Sequence, residues 1–338
     1  MSLAEQLKNA AAKDRLRLHT PGHKGSVSKL DLTELSDGSF PAEFVTEAER
    51  RAAAVYKAKH ATFLCGGSSQ GVKSAIFYSK ASAVVDVNSH RSVFDGFTLS
   101  GKRCVTAGDK GSVHPLTVKQ IDGAITSDTE AVVVTTPTYF GFCADADGIR
   151  DYCKRKGLLF IADSAHGAHF GFSRRLPKSV APIADICNVS THKTLESLTQ
   201  TALLLDNLSD ADSAILKSCV DVMGTTSPSY LLYASIDDGV TKAAEPQTAA
   251  SYECLYGAVD DIKTEFPFLQ NDDFTRLVLD CTRLGVSAEK LNNSLCRSGV
   301  YSELVTEKYI VFILTAEDAP ESVSALRAAL HCGIGEVN

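Results

Sequence analysis

The sequence predicts an α/β protein: a large domain on a mainly parallel sheet, followed by a smaller α+β domain. Three observations support this fold class. From about residue 44 onward, short apolar runs alternate with helical patterns. The runs span four to six residues and are rich in Val and Ile, as expected for strands covered on both faces. After residue 236 the pattern changes to a long helical stretch followed by alternating segments.

The elements of the large domain follow in chain order. Residues 1–18 alternate charged residues with Leu and Ala, which predicts a surface helix rather than a signal peptide. Helical patterns follow at 47–58 and 70–79. Strands are predicted at 62–65, 83–87, 131–134, 158–162, 186–189 and 202–205. Ligands of parallel sheets bind beyond the carboxyl ends of the strands, so the residues after each strand are the candidates for a site.

The smaller domain begins with a long helix predicted over 241–262. Strands are expected around 276–279 and 309–314, and helices at 287–296 and 320–330. We therefore predict an N-terminal arm at 1–30, a large domain at 31–236 and a small domain at 237–338. The apolar run at 309–314 is far too short to span a bilayer, so no membrane partner is expected.

Composition narrows the function classes. The net charge is −7 and the basic residues are scattered, whereas nucleic-acid binding requires clustered Lys and Arg. The ten cysteines are spread evenly and form no CxxC pair, which gives little support to a structural zinc site. We expect no metal, and we expect buried free thiols in the reducing cytoplasm.

Polar residues follow four of the predicted strands. Residues 66–69, Gly-Gly-Ser-Ser before a helix, suit a phosphate because small residues and helix N-terminal amides can approach an anion. His90, Asp163 and Lys193 follow the strands at 83–87, 158–162 and 186–189. Each has an ordinary alternative. The Gly/Ser segment and Asp163 can cap helices, Lys193 can be a solvated loop residue, and His90 can be a surface or core residue.

Together these residues favour a site for pyridoxal phosphate (PLP). That cofactor requires an anion site, an aromatic stacking partner, a carboxylate for its ring nitrogen and an amine for its aldehyde. Asp163 and Lys193 are 30 residues apart, which leaves room for one strand–helix excursion and return to the same sheet edge.

The sequence also resembles the ornithine/lysine/arginine decarboxylase family, a branch of the fold-type I PLP enzymes. The matching segments, in order, are HTPGHKG (19–25), DLTEL (31–35), NSHRS (88–92), PTYFG (137–141), DSAHGAHF (163–170), STHKT (190–194) with LTQ (198–200), and SPSY (227–230). Their order and spacing match the family from about residue 18 to residue 330.

The resemblance implies a role for each matching residue. Lys193 would form the Schiff base with the cofactor, Asp163 would pair with the pyridine nitrogen, and His90 would stack on the ring. The position of His166 is one from which such enzymes reach the ring hydroxyl. The phosphate would be held by Ser68, Ser69, Ser190 and His192.

The implied activity is decarboxylation of a basic amino acid (lysine, ornithine or arginine), as in amino-acid and polyamine metabolism. Asp163 as a carboxylate would keep the ring nitrogen protonated, so that the ring accepts the electrons released at Cα. Lys193 would need a lowered pKa to act as a nucleophile and as an acid or base. Fold-type I relatives share their sites across a dimer interface, so a homodimer is expected. Residues 198–200 and 224–226 are candidates for the neighbour's contribution.

The chain departs from the family in two places. Typical members carry a further C-terminal domain with a Tyr-Pro-Pro-Gly-Ile-Pro segment, which is expected to be missing here, and residues 36–43 form an unusually short stretch. Both regions lie on the substrate side in relatives, so two alternatives stay open. One is another fold-type I activity, such as that of a lyase or an aminotransferase. The other is a non-catalytic paralogue that binds the cofactor or a partner.

Overall fold

The computed structural model describes residues 1–13, 16–33, 35, 40 and 42–337. Residue 34 of the DLTEL segment and residues 36–39 and 41 of the short stretch lie outside this description. The chain forms two compact units. The first comprises Met1–Thr136, Ala144–Ala168 and Ser179–Ala243, and the second Pro137–Cys143, His169–Lys178 and Ala244–Asn338. These units differ from the predicted ranges 1–30, 31–236 and 237–338, because two internal segments belong to the second unit.

The first unit is built on a seven-stranded sheet. Its strands are β1 (His60–Leu64), β2 (Ser82–Asp86), β3 (Arg103–Ala107), β4 (Thr129–Thr135), β5 (Leu159–Asp163), β6 (Ile186–Val189) and β7 (Ala202–Asp206). Their order is β1-β7-β6-β5-β4-β2-β3. Neighbouring strands are parallel except that β7 runs antiparallel to both β1 and β6. The mainly parallel α/β fold predicted from the sequence is confirmed.

Nine helices are described in the first unit. They are α1 (Leu3–Ala12), α2 (Glu43–Tyr56), α3 (Gly67–Tyr78), α4 (Arg91–Ser100), α5 (Val118–Ala124), α6 (Ala146–Lys156), α7 (Thr191–Thr194), α8 (Asp210–Met223) and α9 (Tyr230–Ala243). The apolar faces of α3, α4 and α8 pack with strand residues into one core. The predicted N-terminal surface helix is present as α1, which buries Leu3 and Leu7 and begins at a capping box formed by Ser2 and Glu5.

The second unit has a three-stranded antiparallel sheet in the order β8-β10-β9. Its strands are β8 (Arg276–Asp280), β9 (Leu304–Val305) and β10 (Tyr309–Ile313). Its helices are α10 (Pro246–Glu265), α11 (Cys281–Leu284), α12 (Ala288–Arg297) and α13 (Pro320–Val337). Apolar residues of α10, α12 and α13 cover the sheet and form a separate core. In the described part of the chain, every helix is too short or too polar to cross a membrane.

Two predictions about local structure are corrected, and the strands β3 and β9 lie outside the predicted ones. The single helix predicted over 241–262 is wrong, because α9 ends at Ala243 and α10 begins with Pro246 at its first position. Proline has no amide hydrogen and is accepted in the first turn of a helix but not inside one. The sequence also gave no sign of β3, an edge strand whose side chains are mostly part-exposed. All ten cysteines are free as expected, but only four are buried: Cys254 and Cys332 are exposed, and Cys65, Cys104, Cys143 and Cys296 are half-buried.

Candidate functional site

The carboxyl ends of β5 and β6 bring Asp163 and Lys193 to the same edge of the sheet. The two strands pair in parallel, with Asp163 opposite Asn188. Backbone hydrogen bonds continue this pairing beyond the strands: Ser164 N donates to Asn188 O at 2.8 Å, and Ser190 N donates to Ala165 O at 3.3 Å. The segment after β6 therefore runs beside the segment after β5, and α7 places Lys193 there.

Asp163 is a buried carboxylate with an exposed fraction of only 3%. Its burial raises its pKa, while the nearby charge of Lys193, hydrogen bonds from Asn188 and Ala165, and the charge of His90 act to lower it. Both hydrogen bonds go to the same oxygen, Oδ1, at 3.3 Å each. A buried charge is stable only when it is paired, so Asp163 is suited to meet a cationic partner.

Lys193 and His166 contact each other directly. Lys193 Nζ lies 3.0 Å from His166 Nε2, and His166 is buried. An amine and an imidazole at this distance can exchange a proton, since each ring nitrogen can donate or accept. The resemblance implied a role for His166 at the ring hydroxyl, and the geometry adds a direct partnership with the lysine.

The start of α3 forms the candidate anion site. Ser190 Oγ donates to Ser68 Oγ at 2.8 Å, which joins the end of β6 to the first turn of α3. The N-cap residue of α3 is Gly66, which has no side chain to cap the helix, and the first turn has no acidic residue. Gly67 has a φ of +70° and donates to Gln200 O at 2.8 Å. The first-turn amides, including that of Ser69, are thus suited to an anion by their dipoles and by the nearby hydroxyls.

His90 and His192 are each anchored through Nδ1. His90 is the N-cap residue of α4, where Nδ1 accepts from Ser92 N at 3.2 Å and lies 2.8 Å from Ser92 Oγ. It is exposed, and it is near enough to Asp163 to influence the pKa of that carboxyl. His192 Nδ1 lies 2.8 Å from Thr201 O and donates to it. Nε2 of His192 can therefore donate to an anion only when the ring is doubly protonated.

The matching segments are divided between the two units. Of DSAHGAHF, the first histidine lies in the first unit, while the second, His169, is fully buried in the second unit. His169 Nε2 lies 3.1 Å from Thr275 Oγ1 and 3.3 Å from Asp273 Oδ1. Burial raises the pKa of Asp273, but His169 and the neighbouring donors outweigh it and hold the pKa at about 2. This pair lies buried within the second unit.

Two further residues take part in the site, and the sequence did not reveal them. Asn188 donates a hydrogen bond to Asp163, but in the sequence it was only one residue of the strand predicted at 186–189. The available signal was a lone amide in a buried strand, which is costly without a partner. Gln70 accepts from Gly66 N at 3.0 Å and donates to Val220 O at 3.1 Å, so it fixes the loop before α3. The sequence indicated Gln70 more weakly, because glutamine is common in the first turn of a helix.

Comparison with known proteins gives consistent matches. The sequence matches a family model described as Orn/Lys/Arg decarboxylase, major domain, over residues 26–277. The arginine decarboxylase of Bacillus anthracis is 26% identical over 364 residues, which cover 94% of this chain and 73% of that protein. A lysine decarboxylase from Francisella novicida has a TM-score of 0.78 at 17% identity, covering 98% of this chain and 59% of that one. A structure of serine palmitoyltransferase with PLP has a TM-score of 0.75 at 14% identity, covering 99% and 85% of the two chains.

Proposed function

Because this chain belongs to the Orn/Lys/Arg decarboxylase family, we propose that it uses PLP to decarboxylate a basic amino acid. The family match covers six of the seven sequence segments, from DLTEL to SPSY, and confirms the resemblance that they indicated. The observation that carries the proposal is the buried Asp163 at one sheet edge with the Lys193–His166 pair. A carboxylate, an amine and a proton carrier are placed where a parallel sheet binds its ligand.

The residues at this edge fit PLP. The buried Asp163 carboxylate has two donors on Oδ1 and calls for a cationic partner, which a protonated pyridine nitrogen supplies. The hydroxyls of Ser68 and Ser190 lie together at the start of α3, where helix amides favour a phosphate. The start of α3 and the buried Asp163 lie at the same edge of the sheet. They suit the two ends of PLP, which are its phosphate and its ring nitrogen.

We assign these roles to the side chains. PLP, when bound, withdraws the electrons that a leaving carboxyl group releases at Cα. Lys193 would hold the cofactor covalently, and Asp163 would keep a proton on the ring nitrogen. His166, at 3.0 Å from the lysine amine, would move a proton to and from it. His90 would cover one face of the ring, and Ser68, Ser69, Ser190 and His192 would bind the phosphate.

The setting of the enzyme is a further part of the proposal. We propose a cytoplasmic homodimer in which residues 198–200 and 224–226 approach the partner's site. The free thiols support a reducing compartment. Decarboxylation of a basic amino acid gives a diamine or a precursor of polyamines. This product supports a place for the enzyme in amino-acid and polyamine metabolism.

A substrate panel tests the proposal. Purified protein loaded with PLP is incubated with lysine, ornithine, arginine and several neutral amino acids, and amines and carbon dioxide are measured by mass spectrometry. We expect one basic amino acid to give its amine and an equal amount of carbon dioxide. A keto acid instead, formed in excess of bound PLP once a keto-acid amino acceptor is added, would indicate an aminotransferase. PLP binding with no product from any amino acid would indicate the non-catalytic alternative.

A further inference from the structure

Asn188 is an amide side chain in the middle of the buried sheet of the first unit. It lies on β6, opposite Asp163 of β5 and opposite Leu204 of β7, and it is fully buried. Burying an amide without partners costs free energy, so a buried Asn is expected to have a hydrogen-bond partner or a function. The contacts of the Asn188 side chain indicate both.

Among the described residues, the side-chain amide of Asn188 makes one hydrogen bond, which goes to Asp163. Asn188 Nδ2 donates to Asp163 Oδ1 at 3.3 Å, and Ala165 N donates to the same oxygen. The hydrogen bonds that Asn188 and Ala165 donate to the Asp163 carboxyl both go to Oδ1 and not to Oδ2. The two protein donors therefore hold one carboxylate oxygen and leave the second for a donor from outside the chain.

The other end of the amide is placed by Gly71 of α3. Asn188 Oδ1 is buried and has no hydrogen-bond partner in the described part of the chain. A Cβ atom at Gly71 would lie 2.3 Å from this oxygen, far inside van der Waals contact. The side chain of Asn188 is thus confined between the backbone of α3 and the carboxylate of Asp163. The helix that begins at the candidate phosphate site also fixes the residue beside the candidate ring-nitrogen partner.

We propose that Asn188 is a positioning residue that holds Oδ1 of Asp163, so that Oδ2 remains available to the ring nitrogen of PLP, and that Gly71 provides the necessary space. This inference rests on the proposed function. It deepens it by assigning a residue that acts through Asp163 rather than on the cofactor.

The charges around Asp163 fix the sign of the expected effect. Near the carboxyl are the charges of Lys193 of α7 and His90 before α4, with His166 beside Lys193. The Cys187 thiol of β6 lies on the opposite face of the strand, and burial and the charge of Asp163 raise its pKa, so it stays neutral. Burial raises the pKa of Asp163, and the Asn188 hydrogen bond is one of the influences that lower it. Removing this donor therefore favours the protonated acid. A protonated Asp163 no longer supports a positive charge on the ring nitrogen.

The test uses the PLP-loaded protein with 15N in the pyridine ring. The ring-nitrogen chemical shift reports protonation directly, and a merely structural change would not move its titration. In Asn188→Leu, we expect the ring nitrogen to lose its proton at a pH about one unit lower, and PLP affinity by equilibrium dialysis to fall about tenfold, as for one lost hydrogen bond to a charged group. Cys187→Ala, which trims the opposite face of the same strand, should match the wild type in both measurements.

Gly71→Ala gives an independent arm. It should reproduce the change in ring-nitrogen titration, and it should have a smaller effect in an Asn188→Ala background, where the crowded oxygen is missing. If Asn188→Leu does not fold by circular dichroism, Asn188→Ala and Gly71→Ala carry the same test. Folded variants with wild-type titration and affinity would overturn this inference while leaving the proposed function intact. Wild-type protein that binds no PLP would overturn both.

Discussion

Lys193 Nζ and His166 Nε2 lie 3.0 Å apart, and Lys193 is the residue of the proposed site to test first. Lys193→Ala should abolish the visible absorbance of bound PLP and reduce decarboxylation by at least about a thousandfold, since no other group can replace the amine. Absorbance spectroscopy after gel filtration measures this. Lys154→Ala, an exposed lysine on α6, is the matched control and should behave as wild type. An unchanged visible band in Lys193→Ala would exclude Lys193 as the cofactor lysine.

The role proposed for Asp163 is in turnover rather than in covalent attachment of the cofactor. In Asp163→Asn, the visible band of bound PLP should remain, while kcat falls by about a hundredfold or more, because an amide cannot hold a proton on the ring nitrogen as a carboxylate does. Steady-state kinetics and the absorbance spectrum separate the two effects. Retained turnover in Asp163→Asn would contradict the role assigned to this residue.

The same carboxyl group should make the stability of the apoprotein depend on pH. Burial raises the folded-state pKa of Asp163. A raised pKa means that its contribution to stability is complete below the unfolded-state pKa and is lost as the pH rises through the folded-state value. Each unit of the shift corresponds to about 1.4 kcal/mol. Asp163→Asn apoprotein should therefore melt at a higher temperature than wild type at pH 8, with the difference shrinking toward pH 4. An equal difference at both pH values in calorimetry would refute this.

At the scale of single elements, the start of α3 depends on the backbone of Gly67. Its φ of +70° is costly for any residue with a Cβ, although a Cβ there would meet only Gln200 O at 4.0 Å. Gly67→Ala should therefore lower the free energy of unfolding by about 1 kcal/mol or more, through backbone strain, and should weaken PLP binding. Gly123 of α5 has an ordinary φ, and a Cβ added there would meet no described atom within 4 Å. Gly123→Ala should therefore leave the free energy of unfolding unchanged or raise it slightly. Denaturant unfolding measures the free energy of unfolding of both variants. An equal change in Gly67→Ala and Gly123→Ala would argue against strain at Gly67.

The elements also show how far the sequence predicts this molecule. Continuous apolar runs located the interior strands. A strand that is buried on both faces is apolar throughout, so it can be recognised in the sequence without knowing which strand it pairs with. The edge strand β3 has no such run, and its existence follows from pairing with β2. His90, Asp163 and Lys193 could be named because each follows a predicted strand, whereas His166 and His192 were assigned from the family resemblance. Asn188 could not, since its contact with Asp163 depends on the register between β5 and β6 and on the absence of a side chain at Gly71.

At the scale of the whole molecule, the proposed homodimer makes a prediction about Leu198. This side chain is 48% exposed, yet its backbone is fixed, because Leu198 N donates to Ser235 Oγ at 2.8 Å and Ser197 Oγ donates to Ser235 O at 3.1 Å. A rigid, exposed leucine in the LTQ segment is suited to a protein interface. Leu198→Glu should raise the dimer dissociation constant by about tenfold or more, because it places a charge in a desolvated contact.

Sedimentation velocity over a range of protein concentrations measures this shift, with PLP occupancy followed in the same samples by absorbance. Leu99→Glu is the matched control, because Leu99 is a similarly exposed leucine at 61% on α4, outside the matching segments. Leu198→Glu should lose PLP in step with its dimer, since the partner is proposed to complete each site, whereas Leu99→Glu should keep both. Wild-type protein that stays monomeric while holding PLP would exclude the shared site, and an undisturbed dimer in Leu198→Glu would place the interface elsewhere on the surface.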